Sequence, residues 1–147
     1  MAKAENQQVL DVECGTLFKA ITDLLEYPKF VTGCKNAEIV PGASAGFTRV
    51  KYSVRLIKDV TYTLNHLADE AQGKMNWSLV ESEFLKMNSG FWEIKSAGPG
   101  KTDVKYGLEI EFKIPVPSMI LGRLVKSNLP EMLKEFEKRA KLLEKRG

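Results

Sequence analysis

The chain has 147 residues, of which 44% are hydrophobic and 28% charged, with a formal net charge of +3 at pH 7. These values are typical of one folded soluble domain, predicted to span residues 1–147, and the small charge neither requires nor excludes an anionic partner. Residues 1–8 are polar and no apolar run approaches the roughly 18 residues of a membrane span, so we expect neither a signal peptide nor a transmembrane helix. The expected location is the cytoplasm.

Metal-ligating residues are scarce. Cys14, Cys34 and the single histidine, His66, are too few and too dispersed for a zinc framework, and no motif indicates a cofactor. We therefore predict no metal and no cofactor. The two cysteines are expected to be free thiols in a reducing compartment, with a disulfide between them as the alternative.

The first elements in the chain are predicted to be a strand and two short helices. Residues 9–13 alternate as in a strand, and Thr16 is placed to cap the helix that follows. Apolar residues then recur at helical spacing at Leu17, Phe18, Ile21, Leu24 and Leu25. Residues 27–31 belong to the second helix, which is expected to end at Gly33.

After Cys34 the pattern changes to alternation of apolar and polar residues, which is typical of antiparallel strands with one wet and one covered face. The last alternation, over residues 104–114, is the longest. The apolar positions of the successive strands are Ala37 and Ile39; Val50, Tyr52, Val54 and Leu56; Val60, Tyr62 and Leu64; Met75, Trp77 and Leu79; Gly90, Trp92 and Ile94; and Val104, Tyr106, Leu108, Ile110, Phe112 and Ile114.

One long helix is predicted from residue 118 to about residue 146. Its apolar stripe comprises Leu121, Val125, Leu129, Met132, Phe136, Ala140 and Leu143. Pro130 lies inside this span and is expected to kink the helix, which would let it follow a curved sheet.

Four motifs in this order carry a family resemblance. They are Asp23-x-x-x-Tyr27-Pro28-x-Phe30, Ser89-Gly90-Phe91-Trp92-Glu93-Ile94, Gly100-Lys101-Thr102-x-Val104-x-Tyr106 and Ile114-Pro115-Val116-Pro117. The chain resembles the helix-grip, START-like (SRPBCC) superfamily, and within it the bacterial polyketide cyclase/dehydrase and coenzyme Q-binding group. The resemblance implies an α+β fold, in which a curved antiparallel sheet of about seven strands wraps around a long C-terminal helix, with two short helices after the first strand.

The resemblance also implies an internal cavity, and the leading hypothesis is a carrier or sensor of a hydrophobic small molecule such as a lipid or quinone. The alternatives are a polyketide cyclase/dehydrase-like enzyme and an interaction protein like the ribosome-association toxins. No catalytic constellation is recognisable, so an enzyme is not favoured. The expected lining residues are Phe30, Tyr52, Val54, Tyr62, Leu64, Met75, Trp77, Trp92, Tyr106, Leu108, Ile110, Leu121, Val125, Leu129, Met132 and Phe136.

Several polar residues have competing interpretations. Tyr52, Tyr62 and Tyr106 are either core residues or polar anchors for a ligand. His66 has the parity of the inward positions, but a solvated strand end is the favoured interpretation. Glu81 and Glu83 could do acid–base chemistry if they were held apart in a cleft. They lie in an expected hairpin loop, where carboxylates are usually solvated, so solvation is the favoured interpretation.

The basic end of the terminal helix is expected to be a solvated face with intrahelical pairs such as Glu137–Lys141. Transient contact with an anionic membrane or with a ribosome is the alternative. No feature indicates a DNA partner, and the oligomeric state is open.

Overall fold

The computed structural model describes residues 2–55, 58–123 and 129–146, so the predicted positions Leu56 and Val125 lie outside the described residues. The elements in chain order are β1 (Ala2–Leu10), α1 (Cys14–Thr22), one 3₁₀ turn (Leu24–Glu26), α2 (Tyr27–Phe30), β2 (Cys34–Ile39), β3 (Phe47–Arg55), β4 (Asp59–Asp69), β5 (Lys74–Ser82), β6 (Leu85–Ser96), β7 (Thr102–Phe112), α3 (Ser118–Arg123) and α4 (Leu129–Arg146).

The strands form one antiparallel sheet in the order β1-β7-β6-β5-β4-β3-β2. Helix α4 packs on its inner face through the buried residues Leu129, Leu133, Phe136 and Ala140, which are spaced by three and four. The predicted α+β helix-grip fold, with its curved seven-stranded sheet and short helices after the first strand, is confirmed.

Strand β1 differs from its prediction, because it covers Ala2–Leu10 instead of residues 9–13. Its polar residues pair with β7 along the whole strand, and Lys3 forms an ion pair of 3.3 Å with Glu109 opposite it. Backbone pairing at a sheet edge holds this segment, so apolar alternation was a poor guide to its bounds. Helix α1 also begins earlier than predicted, with Glu13 at the N-cap position instead of Thr16.

Strand β4 continues to Asp69, which carries His66 well inside the strand. Opposite β4, Val80 is an extra residue in β5, because Leu79 pairs with Leu64 and Glu81 with Thr63. This β-bulge bends the strand locally and increases its twist. The extension of β4 explains why a solvated strand end was the wrong expectation for His66.

The helix predicted over residues 118–146 is described as α3 and α4. Residues 124–128 between them are outside the described part of the chain. Pro130, expected to kink the helix, is the second residue of α4. None of the described helices is long and apolar enough to cross a membrane.

Helix α4 is fastened to the segment that joins β1 and α1. Glu137 accepts a hydrogen bond from the backbone N–H of Asp11 at 2.8 Å, and Glu144 accepts one from Glu13, also at 2.8 Å. Glu137 therefore docks the helix, in place of the expected pair with Lys141.

Candidate ligand site

A closed circuit of aromatic rings crosses the interior between the sheet and the helices. Neighbouring ring centroids lie between 4.7 Å, for Trp92 and Tyr106, and 6.5 Å, for His66 and Trp77. The circuit closes because Tyr27 contacts both Tyr52, at 6.2 Å, and Phe136, at 5.3 Å. We name this set the aromatic belt; its members in order are Tyr27, Tyr52, His66, Trp77, Tyr106, Trp92 and Phe136.

The alternation of inward and outward side chains along the strands determines which residues form the belt. Inward positions alternate along each strand, and each of β3 to β7 contributes one inward ring to the belt, while α2 and α4 supply Tyr27 and Phe136. Gly90 is required where Trp77 and Tyr106 meet across β6 at 5.4 Å. A Cβ atom at Gly90 would lie less than 3.0 Å from the Trp77 side chain, so only glycine leaves room for this contact.

One polar pair lies within the belt. The Tyr52 hydroxyl and His66 Nε2 are 2.8 Å apart, and the two residues are only 4% and 5% exposed. His66 Nδ1 is buried without a hydrogen-bond partner among the described residues. Burial lowers the pKa of His66 from 6.5 to about 4, and burial also raises the pKa of Tyr52. Both groups are therefore neutral at pH 7.

A second polar contact orients Trp77. Its indole Nε1 donates to Asn88 Oδ1 at 3.0 Å, and Asn88 is also buried. Burial raises the pKa values of Tyr62 and Tyr106, so these groups also remain neutral phenols. The hydroxyl of Tyr27 donates to the backbone oxygen of Ile21, which fixes the ring that closes the circuit.

The two sides of the belt differ in burial. Towards α1 the core is closed, with Leu10, Val12, Leu17 and Val104 at most 2% exposed. Towards the β5–β6 hairpin and α3, several inward residues are only half-buried; they are Val54, Tyr62, Leu79, Leu108 and Leu121. We call this the half-buried end, although Val60, Phe84, Leu85 and Ile110 there are buried.

The predicted lining residues fall into three groups. Those that are buried are Tyr52, Leu64, Met75, Trp77, Trp92, Tyr106, Ile110, Leu129 and Phe136. Those that are half-buried are Phe30, Val54, Tyr62, Leu108, Leu121 and Met132. Val125 lies outside the described residues. The first two groups pack in or against the two hydrophobic clusters of the interior.

Sequence reasoning missed three members of the site. Tyr27 was seen only as part of a motif, and Asn88 lies on an inward position that its polar side chain does not indicate. His66 was expected in solvent, although its parity with Tyr62 and Leu64 was the signal that pointed inward. Alternation identifies a face, but it does not show how far a strand continues.

Other candidate chemistry is not assembled among the described residues. No group of three metal-ligating side chains occurs in that part of the chain. Cys14 and Cys34 are free, and burial raises the pKa of Cys34 to about 11, so this thiol is a poor nucleophile. Glu81 on β5 and Glu83 in the hairpin are both exposed, which agrees with their interpretation as solvated carboxylates.

A concavity of about 390 Å³ lies on the outer face of the sheet, and its lining also reaches Trp77 and Gly90. It surrounds Phe91, which packs over Gly107, and its rim carries charged residues of both signs, including Lys3, Glu93 and Glu109. The sequence did not predict this feature. Its open, charged rim contrasts with the aromatic belt on the other face.

The outward face of α4 is basic because three of its acidic residues, Glu135, Glu137 and Glu144, bond to the body of the protein. Glu135 accepts hydrogen bonds from Thr32, as Glu137 and Glu144 do from the segment before α1. The lysines left exposed on the helix are Lys134, Lys138, Lys141 and Lys145. Contact of this face with a membrane or a ribosome stays a prediction.

Comparison with known proteins gives one matching family and several solved structures with the same fold. The family described as "Polyketide cyclase / dehydrase and lipid transport" matches residues 10–137. A START superfamily protein from Mycobacterium smegmatis superposes with a TM-score of 0.84 at 18% identity, covering 97% of this chain and 99% of that one. The Zhui aromatase/cyclase from Streptomyces sp. R1128 superposes with a TM-score of 0.69 at 16% identity, covering 97% and 87%.

A protein from Thermus thermophilus has the same fold, with a TM-score of 0.79 at 19% identity and coverage of 96% and 98%. No curated protein matches the sequence. At these identities the structural likeness establishes the fold, and the ligand must be argued from the site itself.

Proposed function

Because the chain belongs to the polyketide cyclase/dehydrase and lipid transport family, we propose that residues 1–147 form one domain that binds a hydrophobic small molecule at the aromatic belt. The observation that carries this proposal is a closed circuit of aromatic rings that contains a single polar pair, Tyr52 and His66. Ligand sites are typically apolar enclosures with a few placed polar groups.

The chemistry of the belt favours a neutral ligand with flat apolar surface. Tyrosine, tryptophan and phenylalanine rings offer faces and edges for stacking, worth about 0.5–1.5 kcal/mol for each well-placed ring pair. Each 100 Å² of apolar ligand surface removed from water adds about 2.5 kcal/mol before ordering costs. A charged ligand would lose its hydration without gaining a counter-ion from the belt, whose pair is neutral.

Entry is proposed from the half-buried end. Tyr62 and Leu79 contact both hydrophobic clusters and are less buried than the residues at the α1 end. Movement of these side chains would open a path towards Tyr52 while the α1 end stays packed. Loosely packed side chains are the ones expected to move with the smallest loss of stability.

The first test is native mass spectrometry of the protein purified from cells, followed by extraction of any bound molecule. A panel of lipids, quinones and polycyclic aromatic compounds is then titrated against the two tryptophans of the chain, Trp77 and Trp92, both of which lie in the belt. Binding should change their fluorescence. Absence of a co-purified molecule together with no response across the panel would refute the proposal.

A matched pair of variants tests whether the ligand binds at the belt or at the outer face of the sheet. Phe136→Leu alters a ring of the belt that is 1% exposed, whereas Phe91→Leu alters a ring over the outer concavity. Affinity should fall for Phe136→Leu and remain unchanged for Phe91→Leu. Urea unfolding of both variants shows whether a lost affinity reflects lost stability.

The enzymatic alternative has one observation in its favour, since the buried, closely spaced Tyr52 and His66 are the kind of pair that a cyclase/dehydrase-like mechanism requires. General bases work best when their pKa lies near the working pH. The pKa of His66, about 4, makes it a weak base at pH 7. The pair therefore favours binding and orientation over proton abstraction.

A further inference from the structure

The Tyr52 and His66 side chains each carry one hydrogen-bond donor, but the single hydrogen bond between them uses only one of the two. Neutral histidine carries one N–H and tyrosine one O–H, while a single bond of 2.8 Å joins the hydroxyl to Nε2. If the hydroxyl donates to Nε2, the histidine proton remains on Nδ1. If Nε2–H donates to the hydroxyl oxygen, the tyrosine proton remains. Either arrangement leaves one hydrogen-bond donor unused.

No acceptor for this donor is present among the described residues. The hydroxyl of Tyr52 has its one bond with Nε2, and Nδ1 has none although the surrounding protein covers it. Both arrangements leave one donor unused, but the two donors differ in what could still satisfy them. The protein covers Nδ1, so an N–H there has no route to an acceptor, whereas the hydroxyl proton of Tyr52 can rotate about its C–O bond. Only the arrangement with the N–H on Nε2 therefore lets a ligand accept the unused proton.

The surroundings of the pair favour a neutral acceptor. The neighbours of the pair in the belt are Tyr27 and Trp77, which carry no positive charge. Arg139 contacts Glu26 at 3.4 Å and lies over Phe30, a ring that packs against Tyr27 and not against Tyr52 or His66. A carboxylate beside Tyr52 would therefore be desolvated without a counter-ion, whereas a carbonyl oxygen would not.

We infer that the Tyr52 hydroxyl, held in place by His66, is a hydrogen-bond donor for a neutral acceptor oxygen, such as a carbonyl, on the ligand of the aromatic belt. This inference rests on the proposed function. Tyr52 is the specificity-determining group, and His66 is a positioning residue that acts through it.

The test compares two probes of equal shape, 2-acetylnaphthalene and 2-isopropenylnaphthalene, in which a C=CH₂ group replaces the C=O group. Equilibrium dialysis measures the dissociation constant of each. Wild-type protein should bind the ketone about fivefold more tightly, the effect of one neutral hydrogen bond. In Tyr52→Phe the preference should fall to about one, because the ring remains and only the hydroxyl is lost.

Three further variants complete the test. Phe91→Leu, on the outer face of the sheet, should leave the preference unchanged. His66→Leu should lower the preference, and His66→Gln, whose side-chain N–H can still reach Tyr52, should restore it. Urea unfolding confirms that each variant is folded.

The outcomes are distinct. A fivefold preference that survives Tyr52→Phe, or equal binding of both probes by wild-type protein, overturns the inference but leaves hydrophobic binding intact. If wild-type protein binds neither probe nor any compound of the panel, the proposed function fails as well.

Discussion

Gly90 on β6 should not tolerate a side chain. A Cβ atom there would lie less than 3.0 Å from both the backbone oxygen of Gly107 and the Trp77 ring, a separation that real Cβ atoms essentially never show. Neither neighbour can easily withdraw, because Gly107 is part of β7 and the Trp77 indole is held by Asn88. Gly90→Ala must therefore displace a strand, a ring or both.

The expected cost of Gly90→Ala is about 3 kcal/mol, the upper end of the range for overpacking a closed interior, because one of the two clashes is with backbone. Urea unfolding followed by tryptophan fluorescence measures it. For m values of roughly 1–3 kcal/mol/M, the midpoint should fall by about 1–3 M. The emission spectrum of the folded variant should also change, because Trp77 cannot keep its place.

Gly15 provides the control. It lies in α1, and a Cβ atom there meets nothing within 4 Å, so Gly15→Ala should leave stability unchanged or raise it by up to about 1 kcal/mol. If Gly90→Ala unfolds at the same urea concentration as wild-type protein, the close packing of Trp77 over β6, and with it the placement of the belt, is refuted.

Three further predictions concern charge and reactivity. The pKa of His66 is about 4 in the folded protein and ordinarily 6.5, so the unfolded chain binds the proton first as the pH falls. The free energy of unfolding should therefore decrease by about 3 kcal/mol between pH 6.5 and 4, as measured by unfolding at a series of pH values. A His66→Leu variant that still shows this decrease would contradict the assignment. Cys34, with a pKa of about 11, should react with a thiol reagent far more slowly in the folded protein than in urea, and equal rates would show that it is accessible. The ribosome alternative predicts salt-sensitive co-sedimentation with ribosomal subunits that is lost in the double variant Lys138→Glu with Lys141→Glu; co-sedimentation that survives this change would exclude the basic face of α4 as its cause.

The inward face of the sheet could be predicted because side-chain direction has a period of two. Alternation alone identified Tyr52, Trp77, Trp92 and Tyr106, and the structure brings these rings together. Alternation cannot predict which strands are neighbours or how far apart two inward rings lie. The order β1-β7-β6-β5-β4-β3-β2 and the glycine gap at Gly90, which let Trp77 meet Tyr106, depend on tertiary pairing.

Polar members of the site were harder to predict. A polar residue at an inward position looks like a strand end unless its partner is known, and the partners of His66 and Asn88 lie 14 and 11 residues away in sequence. The carboxylates of α4 pose the same difficulty. Glu137 has a lysine four residues later, but its partner in the structure is the backbone of Asp11.

The pairing of β1 with β7 has a consequence for synthesis of the chain. Leu10 lies opposite Thr102 and Ala2 opposite Ile110, so the first strand has no partner until about 90 later residues have been made. At about 5–20 residues per second, that wait lasts roughly 5–20 seconds. Polar and charged side chains disfavour pairing of an exposed strand with other chains, so we expect the polar sequence of β1 to limit association during this time.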